Sequence, residues 1–187
     1  MKVLSILNND EHYDTLRYLD VEEFIMYIKM YPKMIRYINL YPKGLEVQLD
    51  QLTDYVNTSD YKFMSRTIKF LYQIEYLAKN CKLYYKHFIY TNDIKRLDKC
   101  IDKYNVPIDK DTINRAAEYG HIEIVKLLRS YDAPIGKLAM NFAACNGHIE
   151  IVKLLHSYDA RIGYCAIRYA AQNGHIEIVK LLRSYDA

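Results

Sequence analysis

Tryptophan is absent from this 187-residue chain, and glycine, proline and cysteine are scarce. With six glycines there is no GxGxxG and no GKS/T loop to cradle a phosphate, and no HExxH or Ser/His/Asp order is present. The four cysteines, Cys81, Cys100, Cys145 and Cys165, lie far apart with no CxxC spacing. That excludes a disulfide framework and a structural zinc site, and predicts a reduced intracellular protein whose thiols are small buried apolar groups. No run of apolar residues approaches the ~18 needed to cross a membrane. The apolar patch of the N-terminus is too short for a signal-peptide core. One-sided charge is also lacking. Residues 1–90 carry 12 Lys/Arg against 11 Asp/Glu, and residues 91–187 carry 14 against 12, for a net +3. Nothing in that balance points to nucleic acid or an anionic membrane. The expected location is cytoplasmic.

Apolar residues make up 51% of the chain, enough to bury a core. The twenty tyrosines, with abundant Ile, Lys and Asn, read most simply as the codon bias of an AT-rich genome. The dominant feature is a repeat. Gly-His-Ile-Glu-Ile-Val-Lys-Leu-Leu begins at Gly120, Gly147 and Gly174, 27 residues apart. Each 14-residue stretch differs only at Arg129, His156 and Arg183. Such a period marks a repeat architecture in which constant residues form the stacking frame, and residues that change between copies are candidates for recognition.

The predicted fold class is all-α: a helical-hairpin solenoid behind an N-terminal helical capping segment. Residues 1–81 form that segment, 82–108 a degenerate repeat, and 109–135, 136–162 and 163–187 three regular copies. Asp20 and Glu23 have the spacing of a capping box, followed by Phe24, Tyr27, Ile28 and Tyr31 at helical spacing. Pro32 and Pro42 suit the start of turns or helices. Phe63, Met64, Thr67, Ile68, Leu71, Ile74 and Ala78 predict one helix over 60–79, stopped by Asn80. Subtracting 27 aligns Tyr104, Pro107 and Ile108 with Tyr131, Pro134 and Ile135, puts Asp93 under Gly120, and sets Ile89-Tyr90 where later copies have Ala-Ala.

In the middle copy, Met140, Ala143, Ala144 and Gly147 follow the i, i+3, i+4, i+7 stripe of a first helix over 138–146. Gly147 ends it with a positive φ. A second helix runs through Ile149, Ile151, Val152, Leu154 and Leu155, and Glu150 and Lys153 can pair on its polar side. Asp159 sits near the stop, where Asp tolerates the left-handed region.

Ala-Ala-x-x-Gly-His-x-Glu-x-Val-x-Leu-Leu, then Ala after a short link, resembles the ankyrin repeat over residues 111–187, and weakly over 82–110. The resemblance implies a non-catalytic scaffold for protein partners and places the repeated His in the turn between helices. Two departures stand out. The usual Thr-Pro-Leu-His opening is replaced by Asp111-Thr112-Ile113-Asn114, Leu138-Ala139-Met140-Asn141 and Cys165-Ala166-Ile167-Arg168. The period of 27 is short of about 33, and the missing residues fall where the family carries its β-hairpin fingers. Short-period arrays of this kind resemble ankyrin proteins of giant DNA viruses of amoebae, which implies a host cytoplasm.

His121, His148 and His175 cannot share an ion. Neighbouring helices stand about 8–10 Å apart, whereas zinc ligands lie ~2 Å from the metal. Glu123, Glu150 and Glu177, interleaved with Lys126, Lys153 and Lys180, read as a solvated face and not a catalytic pair. No cofactor, metal or catalytic residue is expected. On the first helices, Asp111, Asn114, Arg115 and Glu118 and their counterparts lie opposite the Ala-Ala stripe. From these and their neighbours the candidate protein-binding residues are Arg115, Glu118, Tyr119, Phe142, Cys145, Asn146, Arg168, Tyr169, Gln172 and Asn173, a strip that grades from charged to apolar to mixed. Arg115, Phe142 and Tyr169 are equally readable as packing variants, whereas Glu118, Tyr119, Cys145, Asn146, Gln172 and Asn173 are expected to be exposed.

Three other readings remain. Residues 1–90 could contact a second protein, such as degradation machinery, making the chain an adaptor. They could hide a hydrolase or transferase, although only His12 and His87 occur there. The chain could be a decaying copy with no selected partner. The last repeat matches an internal one at 13 of 14 positions. Its outward side is therefore expected to show apolar atoms, as in a truncated array or a weakly self-associating end.

Overall fold

The computed structural model describes residues 15–40, 45–58, 65–80 and 82–185. All regular elements among them are helices. The chain forms two compact units, Met1–His87 and Phe88–Ala187.

The first unit holds α1 (Val21–Met30), α2 (Met34–Leu40), α3 (Glu46–Thr58), α4 (Ser65–Leu71), α5 (Glu75–Asn80) and most of α6 (Leu83–Tyr90). The capping box at α1 is present: Asp20 Oδ1 accepts from Glu23 N–H at 2.9 Å, and Glu23 Oε2 accepts from Asp20 N–H at 3.1 Å. Phe24 and Ile28 are buried, while Tyr27 and Tyr31 are half-buried with ring centroids 4.9 Å apart. Pro32 opens the turn into α2; Pro42 lies outside the described residues. Leu49, Leu52 and Val56 line the inner stripe of α3, which packs against both α1 and α5.

The helix predicted over 60–79 is two helices, α4 and α5, broken at Tyr72–Ile74. Phe63 and Met64 lie outside the described residues. Ile68, Leu71, Ile74 and Ala78 are buried as the stripe requires. The bonds Gln73 N–H to Phe70 O and Ile74 N–H to Leu71 O tighten the last turn of α4 into i→i+3 form. Asn39 then bridges the break: its Oδ1 accepts from Glu75 N–H and its Nδ2 donates to Gln73 O, both at 2.8 Å. A side chain far away in sequence thereby satisfies backbone groups that a continuous helix would satisfy itself.

The second unit continues with α7 (Ile94–Tyr104), α8 (Lys110–Glu118), α9 (Ile122–Ser130), α10 (Ala139–Cys145), α11 (Ile149–Ser157), α12 (Tyr164–Gln172) and α13 (Ile176–Tyr185). Helices α8/α9, α10/α11 and α12/α13 are the three hairpins. First helices pack in series, α8 on α10 on α12, and second helices likewise, α9 on α11 on α13. This is an all-α repeat solenoid. Gly120, Gly147 and Gly174 join the helices at φ +78°, +79° and +77°, and Asp132 and Asp159 follow the second helices at φ 56° and 58°. Ala116, Ala117, Ala143 and Ala144 are fully buried, so the first helices approach closely.

The stretch 82–108, expected as a degenerate repeat, departs from the 27-residue frame at its turn. Asn92, with φ 55°, takes the left-handed place of Gly120 and stands 28 residues before it. Asp93 is instead the N-cap of α7, its Oδ1 accepting from Arg96 N–H. The residues in the Ala-Ala position are therefore Phe88 and Ile89, both buried, whereas Tyr90 is half-buried.

Candidate functional site

The repeat joints decide which first-helix side chains reach solvent. His148 and His175 each lie over the glycine of the preceding turn. A Cβ placed on Gly120 would meet His148 Cε1 at 2.7 Å, and one on Gly147 would meet His175 Cε1 at 2.7 Å. The ring Nε2–H of His148 donates to Glu118 O at 3.2 Å, and that of His175 to Cys145 O at 3.0 Å. His121 makes the same bond to Tyr90 O at 3.4 Å, and Tyr90 stands 28 residues before Glu118, as Asn92 does before Gly120. A carbonyl can only accept, so the bond fixes the proton on Nε2. The repeated His thus belongs to the turn, and it also ties each turn to the previous repeat, a role the sequence reading missed.

Above these joints the predicted strip is only partly open. Arg115 is exposed and pairs with half-buried Glu118 at 3.5 Å. Tyr119, expected to be exposed, is half-buried with its ring edge on Tyr90 at 5.3 Å and tilted beside His121 at 6.0 Å. Cys145 and Glu118 also depart from the expected exposure. Each is half-buried because its carbonyl sits under a histidine of the next copy. Cys145 further receives Asn173 Nδ2 on its carbonyl at 2.9 Å and on Sγ at 3.1 Å. Phe142 and Tyr169 are half-buried. Asn146, Gln172 and Asn173 are exposed, and Asn146 bonds back to Phe142 O at 2.9 Å. Arg168 is exposed, with its guanidinium 5.0 Å from the Tyr169 ring, and a hydrogen bond to Tyr169 holds its pKa above the ordinary value. The bonds join Arg115 to Glu118, Phe142 to Asn146, Arg168 to Tyr169 and Cys145 to Asn173; only the last crosses between repeats.

Asn114 does not lie outward with Arg115. It is 4% exposed, packed so closely on Gly136 that a Cβ there would stand 2.3 Å from its Oδ1. The cysteines follow the expectation at Cys100, which is buried, whereas Cys145 and Cys165 are half-buried; Cys81 lies outside the described residues.

The second helices carry a feature the sequence signalled only through its one variable letter. Arg129 lies over the ring of Tyr158 at 5.4 Å, and His156 stacks on Tyr185 at 3.6 Å and 14°. Both contacts join one repeat to the next. The Glu123–Lys126 and Glu150–Lys153 pairs form at 2.7 and 2.8 Å on an exposed face, and each carboxylate raises the pKa of its lysine. No group of three His, Cys, Asp or Glu among the described residues is placed to hold a metal ion. No helix among them is long and apolar enough to cross a membrane.

The second unit thus stacks hairpins with an Ala-Ala first helix, a Gly-His turn and an Ile-Val-Leu second helix packed inward. Residues 110–187 match the family model for ankyrin repeats, in three copies. Ankyrin repeats generally mediate protein–protein interaction. The comparisons with curated proteins and with solved structures gave no match.

Proposed function

We propose that the ankyrin-like array binds a partner protein, without catalysis, through the side chains that differ between copies on α8, α10 and α12. The supporting observation is that near-identical copies diverge at neighbouring positions of three helices packed in series, with Arg115, Arg168 and Gln172 exposed and Phe142 and Tyr169 half-exposed. Arg and aromatic side chains anchor interfaces because they carry large contact area together with directional bonds. The short period and the Asn/Ile/Tyr/Lys-rich composition support a giant-virus source and a host cytoplasmic setting. The test compares proteins captured by the intact chain with those captured by R115A/R168A/Q172A, whose changes touch no buried atom. A captured set left unchanged by the variant refutes the reading.

The outer face of the last repeat supports a second contact, weak self-association. Ala171 is exposed where Ala117 and Ala144 are buried, Ile176 is 64% exposed, and a Cβ on Gly174 would meet nothing within 4 Å. Sedimentation showing a strict monomer at high concentration would refute it.

A further inference from the structure

A cleft of about 300 Å³ opens in the second unit beside the turns after α9 and α11. Its lining includes Arg129, Lys137, Tyr158, Asp159 and Arg161, three cations against one carboxylate. Arg129 is held in place twice, by Nη1–H donating to Ala133 O at 2.7 Å and by the face of Tyr158. Its Nε is shut away from solvent and has no hydrogen-bond partner. With Nε enclosed and one Nη1 hydrogen used, the rest of the guanidinium fork supplies the donors left for a ligand. Lys137 and Arg161 are exposed, and neither they nor Arg129 has a carboxylate partner among the described residues.

The charge is not a by-product of the repeat frame. Among the regular copies, the positions 27 residues after Arg129 and Lys137 are His156 and Tyr164, and the position 27 before Arg161 is Pro134. The same frame thus carries an imidazole, a tyrosine or a proline at these places, and this joint gathers three cations. Their sum with Asp159 is +2. A phosphate monoester carries about −1.5 to −2 at neutral pH and offers three acceptor oxygens, whereas a carboxylate would leave half that charge unanswered. The volume exceeds a bare phosphate and leaves space for the ester group.

We propose that this cleft binds a phosphate monoester, with Arg129 as the fixed donor and Lys137 and Arg161 closing on the remaining oxygens. The group can come from a small phosphate ester or from a phosphorylated side chain of another protein, and the chemistry of the cleft is the same for both. None of the strip residues lines the cleft, so failure here and failure of the strip reading are separate results.

The test titrates the full chain with phenyl phosphate, with benzoate as the monoanion control, following the amide signals of Gly136, Lys137, Ala160 and Arg161. Saturable shifts at these amides are expected, with benzoate weaker. K137Q/R161Q removes two exposed charges and keeps the Arg129–Tyr158 stack; it should weaken binding about threefold to tenfold. R129K keeps the charge but loses the planar fork, and should weaken it as well. A phosphoserine peptide binding more tightly than phenyl phosphate, while its unphosphorylated form does not bind, assigns the protein source. The reverse order assigns the small ester. Unsaturable shifts, shifts confined to other amides, or binding unchanged in K137Q/R161Q would overturn the proposal.

Discussion

The imidazole of His148 occupies the space where Gly120 would carry a side chain, 2.7 Å from that glycine's Cβ position, while its Nε2–H bonds Glu118 O in the same turn. One residue thus covers the turn and takes up one of its free helix-end carbonyls. Gly120→Ala should therefore suffer twice: about 1–2 kcal/mol for a left-handed Ala, and about 1–3 kcal/mol more for displacing the ring. Gly174→Ala meets nothing within 4 Å and should show the first penalty alone. Urea midpoints of the two variants decide it, and equal losses would contradict the joint.

The paired alanines allow the same kind of internal comparison. Ala144 is fully buried between neighbouring first helices, whereas its counterpart Ala171 is exposed. Ala144→Leu should cost about 1–3 kcal/mol through overpacking. Ala171→Leu should change stability by less than about 0.5 kcal/mol. Thermal melts that fail to separate the two would refute the stacking order.

His121 gives the array a dependence on pH. Desolvation lowers its pKa below the ordinary 6.5; the Tyr90 carbonyl opposes that shift and His148 adds to it. The folded state therefore prefers neutral imidazole. The stability this residue contributes is complete above pH 6.5 and is lost as pH falls through 6.5 toward the folded pKa, because the unfolded chain binds the proton first. Melting temperatures at pH 7.5 and 5.5 should differ, and His121→Asn, which cannot titrate, should narrow that difference.

In the first unit, Asn39→Ala removes the two bonds that span the break between α4 and α5. A loss of about 1–2 kcal/mol is expected. Hydrogen exchange should accelerate at the amide of Glu75 ahead of the core of α3. An unchanged Glu75 amide would show that the break does not depend on Asn39.

What could be read from the sequence was local or repeated. The capping box of Asp20 and Glu23 closes within one helical turn, and identical copies give Gly147 and Ala143 the same roles three times over. What escaped depended on partners distant in the chain. The stripe from Ile68 to Ala78 keeps its helical period across the break at Tyr72–Ile74 because the same face stays buried; the break is stabilised by Asn39, which no local window contains. Asn92 escapes a fixed shift of 27 because the span between left-handed residues, Asn92 to Asn105, is one residue longer than Gly120 to Asp132. In the strip, helix faces alone do not decide exposure. The ring contact of Tyr119 with Tyr90, and the bonds from His148 and His175, come from the adjoining copies.

The two regular joints are chemically interchangeable, since His148 on Gly120 and His175 on Gly147 use the same atoms at nearly the same distances. A chain spliced to lack residues 136–162 would bring His175 onto Gly120 and close the seam without a new contact having to evolve. Length in this array can therefore change in whole 27-residue steps by unequal exchange between copies, with the helices on either side of the splice left undisturbed. Such a step would delete the Phe142 row of the strip and would leave Arg129 facing Tyr185, so recognition could be rewritten while the architecture stayed constant.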